Sequence, residues 1–158
     1  MRNKNWKSYL FWISLAEIVG IIAGLLSQNG MKDFQIQITQ PPLSPPPLLF
    51  PIVWSILYAL MGISAARISL SQPSQARSLG LNLFVVQLAV NFLWPFFFFN
   101  LQAYGFAILW LILLWLLVAA MIYVFQKADT AAAILQIPYL LWLSFALYLN
   151  IGVWLLNM

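Results

Sequence analysis

Residues 103–126 read AYGFAILWLILLWLLVAAMIYVFQ, a stretch without a single Asp, Glu, Lys or Arg. A helix needs about 20 consecutive apolar residues to cross the hydrocarbon core of a bilayer, so the stretch is long enough to span a membrane. Its apolar residues are continuous, whereas the strands of a membrane β-barrel alternate polar and apolar residues over about ten positions. The stretch therefore predicts a transmembrane helix.

Comparable apolar runs lie on both sides of this stretch, separated by short polar breaks. The chain is 64% hydrophobic and only 6% charged, which leaves too little polar surface for a water-soluble fold. We predict a single domain over residues 1–158, an all-α integral membrane protein built as a bundle of five transmembrane helices. The predicted helices cover residues 6–26, 46–69, 78–99, 103–126 and 131–156.

The composition excludes several kinds of chemistry. The chain contains no cysteine and no histidine, which removes zinc and iron–sulfur sites, thiol nucleophiles, Ser-His-Asp triads and histidine-ligated haem. No metal site and no required cofactor are expected. The basic residues lie scattered at segment ends and form no patch, so a nucleic-acid partner is not expected either.

The one long connection, residues 27–45, mixes charged, amide and apolar residues and ends in a proline cluster. It is predicted to form an ordered lid rather than a flexible linker. Proline is tolerated in the first turn of a helix, where its missing N–H has no partner, so this cluster also marks the start of the second helix near Pro46.

The positive-inside rule predicts the orientation of the bundle. With five helices, all basic residues except Lys32 fall on one side, which predicts a cytoplasmic N-terminus. The lack of an extended presequence favours a bacterial membrane. The basic residues on the predicted cytoplasmic side are Arg2, Lys4, Lys7, Arg67, Arg77 and Lys127.

Three predicted helices carry aromatic faces. Two carboxamides, Gln87 and Asn91, share one face of the third helix and must find partners inside the bundle, because lipid supplies none. They either bond neighbouring helices or contribute to a binding site. The face of the second helix consists of Trp54, Tyr58, Met61 and Ala65, and that of the third helix of Gln87, Asn91, Trp94 and Phe98.

In the fifth helix, Pro138 cannot donate to the carbonyl of Ile134, so the helix is predicted to bend there and to open space in the bundle. A cavity with these walls would suit a large, flat, apolar ligand, although any single aromatic residue taken alone is more often ordinary core. The residues that follow the bend on or beside one face are Trp142, Phe145, Ala146, Leu149 and Asn150.

The first helix contributes a charge and a small-residue face. Glu17 lies near its middle, where an unpaired carboxylate is costly, so we expect it to be protonated or paired with an amide or hydroxyl. Ala16, Gly20 and Gly24 form a small-xxx-small face, which permits close helix packing within the chain or across a dimer.

Four sequence pieces together resemble the TspO/MBR family, the tryptophan-rich sensory proteins related to the mitochondrial translocator protein. They lie in predicted helices two, three and five, and in the loop before helix two. The pieces are PPLSPP (41–46), FPIVW (50–54) with Tyr58 and Met61-Gly62, QLAVNFLWPFFFF (87–99), and PYLLW (138–142) with Phe145-Ala146 and Leu149-Asn150.

The resemblance implies a five-helix bundle, commonly a homodimer, with a pocket under the first loop. The implied ligands are protoporphyrin IX, haem-like tetrapyrroles and isoquinoline or benzodiazepine-type compounds. The residues that the resemblance assigns to this ligand-binding pocket are Trp54, Tyr58, Asn91, Trp94, Trp142, Phe145 and Ala146.

The chain departs from the family pattern at two places. Leu43 stands where the family usually has tryptophan, which predicts the loss of one aromatic wall. No basic residue follows Tyr148, so the C-terminal sterol pattern is incomplete and sterol is not expected at that site.

Three hypotheses of function follow from these observations. The first is a membrane-embedded binding or sensory protein for hydrophobic tetrapyrroles. The second is an enzyme that breaks down bound porphyrin with light and oxygen, in which Trp54 and Trp142 would be the reactive residues. The third is a transporter of such ligands, which the absence of an internal repeat and of ionisable residues beyond Glu17 disfavours.

Overall fold

The structure of the protein is a computed structural model that describes residues 5–158. Within that range, five helical spans are long and apolar enough to cross a membrane, and no strand is present, so the predicted fold class is confirmed. The short helix α6 forms the fifth span together with α7. Helix α2 belongs to no span and is too short to cross a membrane. The helices are α1 (Asn5–Leu26), α2 (Gln28–Gln37), α3 (Leu49–Leu70), α4 (Gln75–Pro95), α5 (Tyr104–Ala128), α6 (Thr130–Ile134) and α7 (Ile137–Leu156).

The predicted helix boundaries are shifted at several ends. The second span begins at Leu49 rather than at Pro46, because Pro46 belongs to a preceding turn in which its carbonyl accepts from the Leu49 amide at 2.9 Å. The third span begins three residues earlier than predicted, because the Ser74 hydroxyl accepts from the Arg77 amide at 3.1 Å and caps α4.

The predicted interruption of the last span is present. The helix breaks at Leu135 and Gln136, and Pro138 lies in the first turn of α7, where a missing amide hydrogen costs nothing. The short helix before the break begins at Asp129, whose carboxylate accepts from the Ala132 amide at 3.0 Å.

The third span also ends irregularly. Pro95 cannot donate to the carbonyl one turn earlier, and the chain continues as a π-helical turn, Phe96–Asn100. The Leu101 amide donates to the Phe96 carbonyl at 3.0 Å. This wider turn presents Phe98 to the interior, where it is buried, and it forms the surface on which α2 rests.

Two glycines permit close contacts between spans. A Cβ on Gly62 of α3 would collide with the backbone of Ile13 in α1, and a Cβ on Gly80 of α4 would lie 2.9 Å from the Phe125 ring of α5. The large buried side chains that fill the core between the spans include Tyr139, Phe84, Phe125, Met61 and Leu111.

A candidate ligand-binding cavity beneath the first loop

A cavity of about 660 Å³ lies at the end of the bundle that α2 and the first loop cover. Its sides come from α1, α3, α4 with the π-helical turn, and α7, and its roof includes Met31 and Phe34 of α2. Two leucines of α5, Leu111 and Leu114, close its floor. Pockets of about 300–1,000 Å³ accommodate drug-sized ligands, so the cavity has room for a large organic molecule.

Aromatic residues from four of the surrounding helices and the π-helical turn line the cavity. The rings of Trp54 and Tyr58 on α3 lie 5.5 Å apart. Trp94 on α4 stacks on Phe98 with ring centroids at 4.9 Å and an interplanar angle of 18°. Trp142 on α7 lies 6.0 Å from the Phe50 ring. Such walls favour flat apolar ligands, since aromatic rings gain about 0.5–1.5 kcal/mol per ring pair beyond area burial.

A buried hydrogen-bond network supports the wall at Tyr58. The Tyr58 hydroxyl donates to Asn91 Oδ1 at 2.7 Å, and Asn91 Nδ2 donates to the Tyr139 hydroxyl at 2.7 Å. Tyr139 in turn donates to Gln87 Oε1 at 2.9 Å. The predicted inward orientation of Gln87 and Asn91 is therefore confirmed, and Asn91 both bonds neighbouring helices and lines the cavity.

A second carboxamide holds Trp94 in place. Asn150 of α7 accepts from Trp94 Nε1 at 3.3 Å and donates from Nδ2 to the carbonyl of Tyr104 at 3.1 Å. The side chain of Asn150 is buried, so both of its polar atoms have partners inside the bundle. The indole plane of Trp94 is thereby fixed by stacking on one side and by a hydrogen bond at its edge.

The lid rests on the π-helical turn. The Phe34 ring of α2 lies 5.3 Å from the rings of both Phe98 and Phe99. A Cβ on Gly30 would lie 2.6 Å from the carbonyl oxygen of Phe99, so only glycine permits this approach. The predicted lid is thus a helix packed against the third span, and the sequence analysis did not predict that helix.

The rest of the first loop is attached to α7. The Thr39 amide donates to Asn157 Oδ1 at 3.0 Å, and Asn157 Nδ2 donates to the Thr39 carbonyl at 2.9 Å. The Tyr148 hydroxyl donates to the Pro42 carbonyl at 2.9 Å. These bonds fix the loop over the α7 side of the cavity.

The opposite wall, between α1 and α3, is more open. Gly20 packs so closely on the Tyr58 ring that a Cβ would collide with it, whereas a Cβ on Gly24 would meet no atom within 4 Å. Below this opening, the Ser55 hydroxyl donates to Glu17 Oε2 at 3.3 Å, and Ser55 is exposed at the surface of the bundle while Glu17 is partly buried. The expected pairing of Glu17 with a hydroxyl is confirmed.

Six of the seven predicted site residues line the cavity. Phe145 does not; it borders a shallow outer groove between α3 and α7, beside Val53 and Leu57. In this structure Phe145 lies outside the cavity wall, and its assignment to ligand binding stays a prediction. The predicted residues that line the cavity are Trp54, Tyr58, Asn91, Trp94, Trp142 and Ala146.

Leu43 also lies away from the cavity. Its side chain is 80% exposed, its backbone has a φ of 66°, and it is not among the lining residues. The replacement of the usual tryptophan therefore leaves an exposed leucine on the first loop, and the walls described above are formed without it.

Several lining residues were not assigned to a site from the sequence. The α1 residues Glu17, Gly20 and Gly24 had been treated as a buried charge and a helix-packing face. Their spacing of three and four places them on one helix face, which was a usable signal. No sequence pattern indicated that Phe34 lines the cavity, because its position depends on how α2 folds back over the bundle.

Comparison with known proteins agrees with this architecture. The TspO/MBR family model matches residues 11–155. The chain is 43% identical to protein CrtK of Rhodobacter capsulatus over 139 residues, which cover 87% of this chain and 85% of the relative. It is 30% identical to the tryptophan-rich protein TspO of Chlorobaculum tepidum over 156 residues, 98% of this chain and 99% of the relative.

A mammalian relative matches over a similar range. The chain is 34% identical to the translocator protein of Bos taurus over 151 residues, which cover 94% of this chain and 89% of that protein. The family match extends over nearly the whole chain and includes every element that lines the cavity. This integral, multi-pass membrane protein therefore belongs to the TspO/MBR family.

Proposed function

We propose that this chain is a membrane-embedded binding and sensory protein for hydrophobic tetrapyrroles, such as protoporphyrin IX or haem-like rings, and for isoquinoline or benzodiazepine-type ligands. The observation that carries the proposal is the cavity of about 660 Å³ with Trp54, Tyr58, Trp94 and Trp142 in its walls. Relatives named as sensory and translocator proteins support a sensory or translocator role in a membrane.

The site residues that we propose for ligand contact are the six that line the cavity. The rings of Trp54 and Trp142 would contact the faces of a flat ligand, because both project from different helices into the same space. Tyr58 and Asn91 would hold that shape through their mutual hydrogen bond. This binding requires no cofactor, and the tetrapyrrole itself is the ligand.

Binding is tested by titration of the purified protein with protoporphyrin IX in the dark. We expect saturable quenching of tryptophan fluorescence, and weaker binding for Trp54→Phe and Trp142→Phe. Trp6→Phe is a suitable control, because Trp6 is 53% exposed at the start of α1 and does not line the cavity. Quenching that does not saturate, or equal affinities for all four proteins, would contradict the proposal.

A second candidate is the light- and oxygen-dependent breakdown of bound porphyrin. The placement of Trp54 and Trp142 on the same cavity favours it, since oxidisable indoles would contact the bound ring. Illumination of the complex in air should then bleach the porphyrin absorption faster in the unmodified protein than in Trp142→Phe. If the porphyrin absorption does not change under light, the breakdown activity is rejected and the binding or sensory function remains.

The orientation is also a proposal. Lys7, Arg67, Arg77 and Lys127 lie at one end of the bundle, and Lys32 lies on α2 at the other end. Arg2 and Lys4, which belong to the same prediction, lie outside the described residues. The positive-inside rule then favours a cytoplasmic N-terminus in a bacterial cell membrane, with the lid on the opposite face. Labelling of single cysteines introduced at Gln28 and Gln126 from either side of the membrane tests this.

The homodimer implied by the family resemblance is likewise proposed and not assigned to a surface. On the small-residue face of α1, Ala16 is fully buried and Gly20 packs on Tyr58, whereas a Cβ on Gly24 would meet no atom within 4 Å. Ala16 and Gly20 are therefore engaged within the chain, and a dimer would use other residues. Mass measurement of the protein in lipid nanodiscs distinguishes one copy from two.

A further inference from the structure

One charged side chain reaches the cavity from the described part of the chain. Glu17 lines it at the α1–α3 wall, together with Ser55, and no Lys or Arg among the described residues lines it. Lys32 and Asp33 lie on α2 above the cavity but are exposed and do not line it. The cavity therefore offers a ligand one acidic group and no basic one.

The remaining polar groups of the cavity are neutral, and the deepest of them are already engaged. Asn91 bonds Tyr58 and Tyr139, and Asn150 bonds Trp94 and the Tyr104 carbonyl. The carboxyl group of Glu17 receives one hydrogen bond from the described residues, the 3.3 Å bond from Ser55. A carboxylate can accept about four hydrogen bonds, so Glu17 has capacity for a ligand.

A carboxyl group in an apolar wall discriminates strongly among ligand chemistries. It pairs with an amine in either protonation state, as a carboxylate accepting from an ammonium or as an acid donating to a free amine. A ligand carboxylate would meet a like charge when Glu17 is ionised, with no basic side chain to compensate it, whereas an ammonium would pair with that charge. The aromatic rings of Trp54 and Tyr58, which line the same cavity, would also favour a cation that meets their faces.

From this arrangement we propose that Glu17 and Ser55 form a polar subsite that selects, among flat apolar ligands, those with a basic nitrogen over those with a carboxylate. This inference rests on the proposed function, in that it assumes that the same cavity binds the ligand. Applied to tetrapyrroles, it predicts that the free carboxyl groups of protoporphyrin IX weaken binding and must lie away from α1.

The test uses three porphyrins with the same ring and different side chains. They are protoporphyrin IX with two carboxylates, its neutral dimethyl ester, and its bis(2-aminoethyl) amide with two ammonium groups. Affinities are measured in the dark by tryptophan quenching, on the full-length protein in nanodiscs of uncharged lipid. We expect the order amine, ester, acid, with the amine bound about tenfold more tightly than the ester.

The matched variants are Glu17→Gln and Asp33→Asn. Glu17→Gln keeps the size of the side chain and an acceptor for Ser55, and it should abolish the preference for the amine over the ester. Asp33→Asn removes a carboxylate that is exposed and outside the cavity, and it should leave the preference unchanged. An equal amine-to-ester ratio in the unmodified protein and in Glu17→Gln would overturn the inference.

A second ligand set separates this inference from the proposed function. It consists of a naphthylalkylamine and the corresponding alcohol and carboxylate. If no porphyrin binds but the naphthyl amine shows a preference that depends on Glu17, the tetrapyrrole proposal fails and the subsite stands. If porphyrins bind with ratios insensitive to Glu17, the subsite fails and the proposed function stands. Failure of both sets to bind overturns both.

Discussion

The hydroxyl of Tyr58 donates a 2.7 Å hydrogen bond to Asn91 Oδ1, and this bond joins the aromatic wall of the cavity to the buried centre of the bundle. It connects α3 to α4, and Asn91 continues the connection to Tyr139 on α7. Lipid offers no replacement partner for any of these groups, so the network holds three spans in register. The shape of the cavity is therefore fixed by polar bonds as well as by packing.

Removal of the Tyr139 hydroxyl should destabilise the protein more than removal of the Tyr58 hydroxyl. The Tyr139 hydroxyl accepts from Asn91 and donates to Gln87, so Tyr139→Phe leaves two buried polar atoms, Asn91 Nδ2 and Gln87 Oε1, without a partner. Tyr58→Phe leaves one buried polar atom, Asn91 Oδ1, without a partner. We expect a loss of about 1–3 kcal/mol in the free energy of unfolding for Tyr139→Phe.

This difference in stability is measured by unfolding each protein with increasing fractions of a denaturing detergent. Tyr123→Phe serves as the control, because the Tyr123 side chain is 62% exposed and its ring, which contacts Lys127, is retained. A Tyr139→Phe protein as stable as Tyr123→Phe would show that the network contributes nothing to the fold.

Two glycines of α1, one turn apart, should respond oppositely to alanine. A Cβ on Gly20 would collide with the Tyr58 ring, so Gly20→Ala should cost about 1–3 kcal/mol of stability. A Cβ on Gly24 meets no atom within 4 Å, so Gly24→Ala should be neutral or stabilising by about 0.5–1 kcal/mol through helix propensity. The same unfolding assay compares the two variants, and equal effects would contradict the described packing of α1.

Larger residues at Gly24 test the cavity itself. Gly24→Leu places a side chain into the open space on the cavity wall, so it should weaken binding of protoporphyrin while the protein remains folded. Ile22→Phe is a control on the same helix that should change affinity less, since Ile22 is 43% exposed and does not line the cavity. Unchanged affinity for Gly24→Leu would place the ligand elsewhere.

The spans and the inward faces could be predicted from the sequence because each depends on local physics. A continuous apolar run of membrane length is stable in lipid as a helix. Amide side chains such as those of Gln87 and Asn91 must point into the bundle, because lipid offers them no hydrogen-bond partner. The break near Pro138 follows from its missing amide hydrogen. These features needed no knowledge of the neighbouring helices.

Other features depend on tertiary contacts and could not be predicted in this way. Helix α2 is short and polar, and it is stabilised by Phe34 against the π-helical turn rather than by its own sequence. Phe145 and Ala146 are neighbours on α7, and periodicity placed both near one face. Only the crossing of α3 and α7 decides that Ala146 borders the cavity and Phe145 the outer groove.

Loosening the lid should speed ligand release. Asn157→Ala removes both bonds to Thr39, which attach the end of the lid segment to α7. At about 1 kcal/mol per bond, loss of the two bonds should make dissociation of protoporphyrin up to about thirty times faster, with little change in thermal stability. Stopped-flow displacement measures the rate.

Asn29→Ala is the control, because Asn29 is exposed on α2 and makes no side-chain hydrogen bond to the described residues. Equal rates for both variants would show that this attachment does not control release.

The last prediction concerns the end of the bundle away from the lid. Arg67 at the end of α3 pairs with Asp129 between α5 and α6, with Nη2 and Oδ2 at 2.9 Å. Burial alone would raise the pKa of Asp129, but the Ala132 amide and the Arg67 guanidinium outweigh it and hold the pKa below its ordinary value. Because folding lowers this pKa, the pair contributes stability above the ordinary aspartate pKa, about 3.9, and loses it as the pH falls further.

Asp129→Asn isolates this charge, since an asparagine still accepts from the Ala132 amide. The melting temperature of Asp129→Asn should therefore lie below that of the unmodified protein at pH 7, and the two should converge as the pH falls below the lowered pKa of Asp129. The difference should be small, under about 1 kcal/mol, because the Arg67 side chain is 37% exposed and solvent screens the pair. Carboxyl groups that both proteins share cancel in the comparison, so a difference that persists or grows in acid would mean that the substitution does not act through the charge of Asp129.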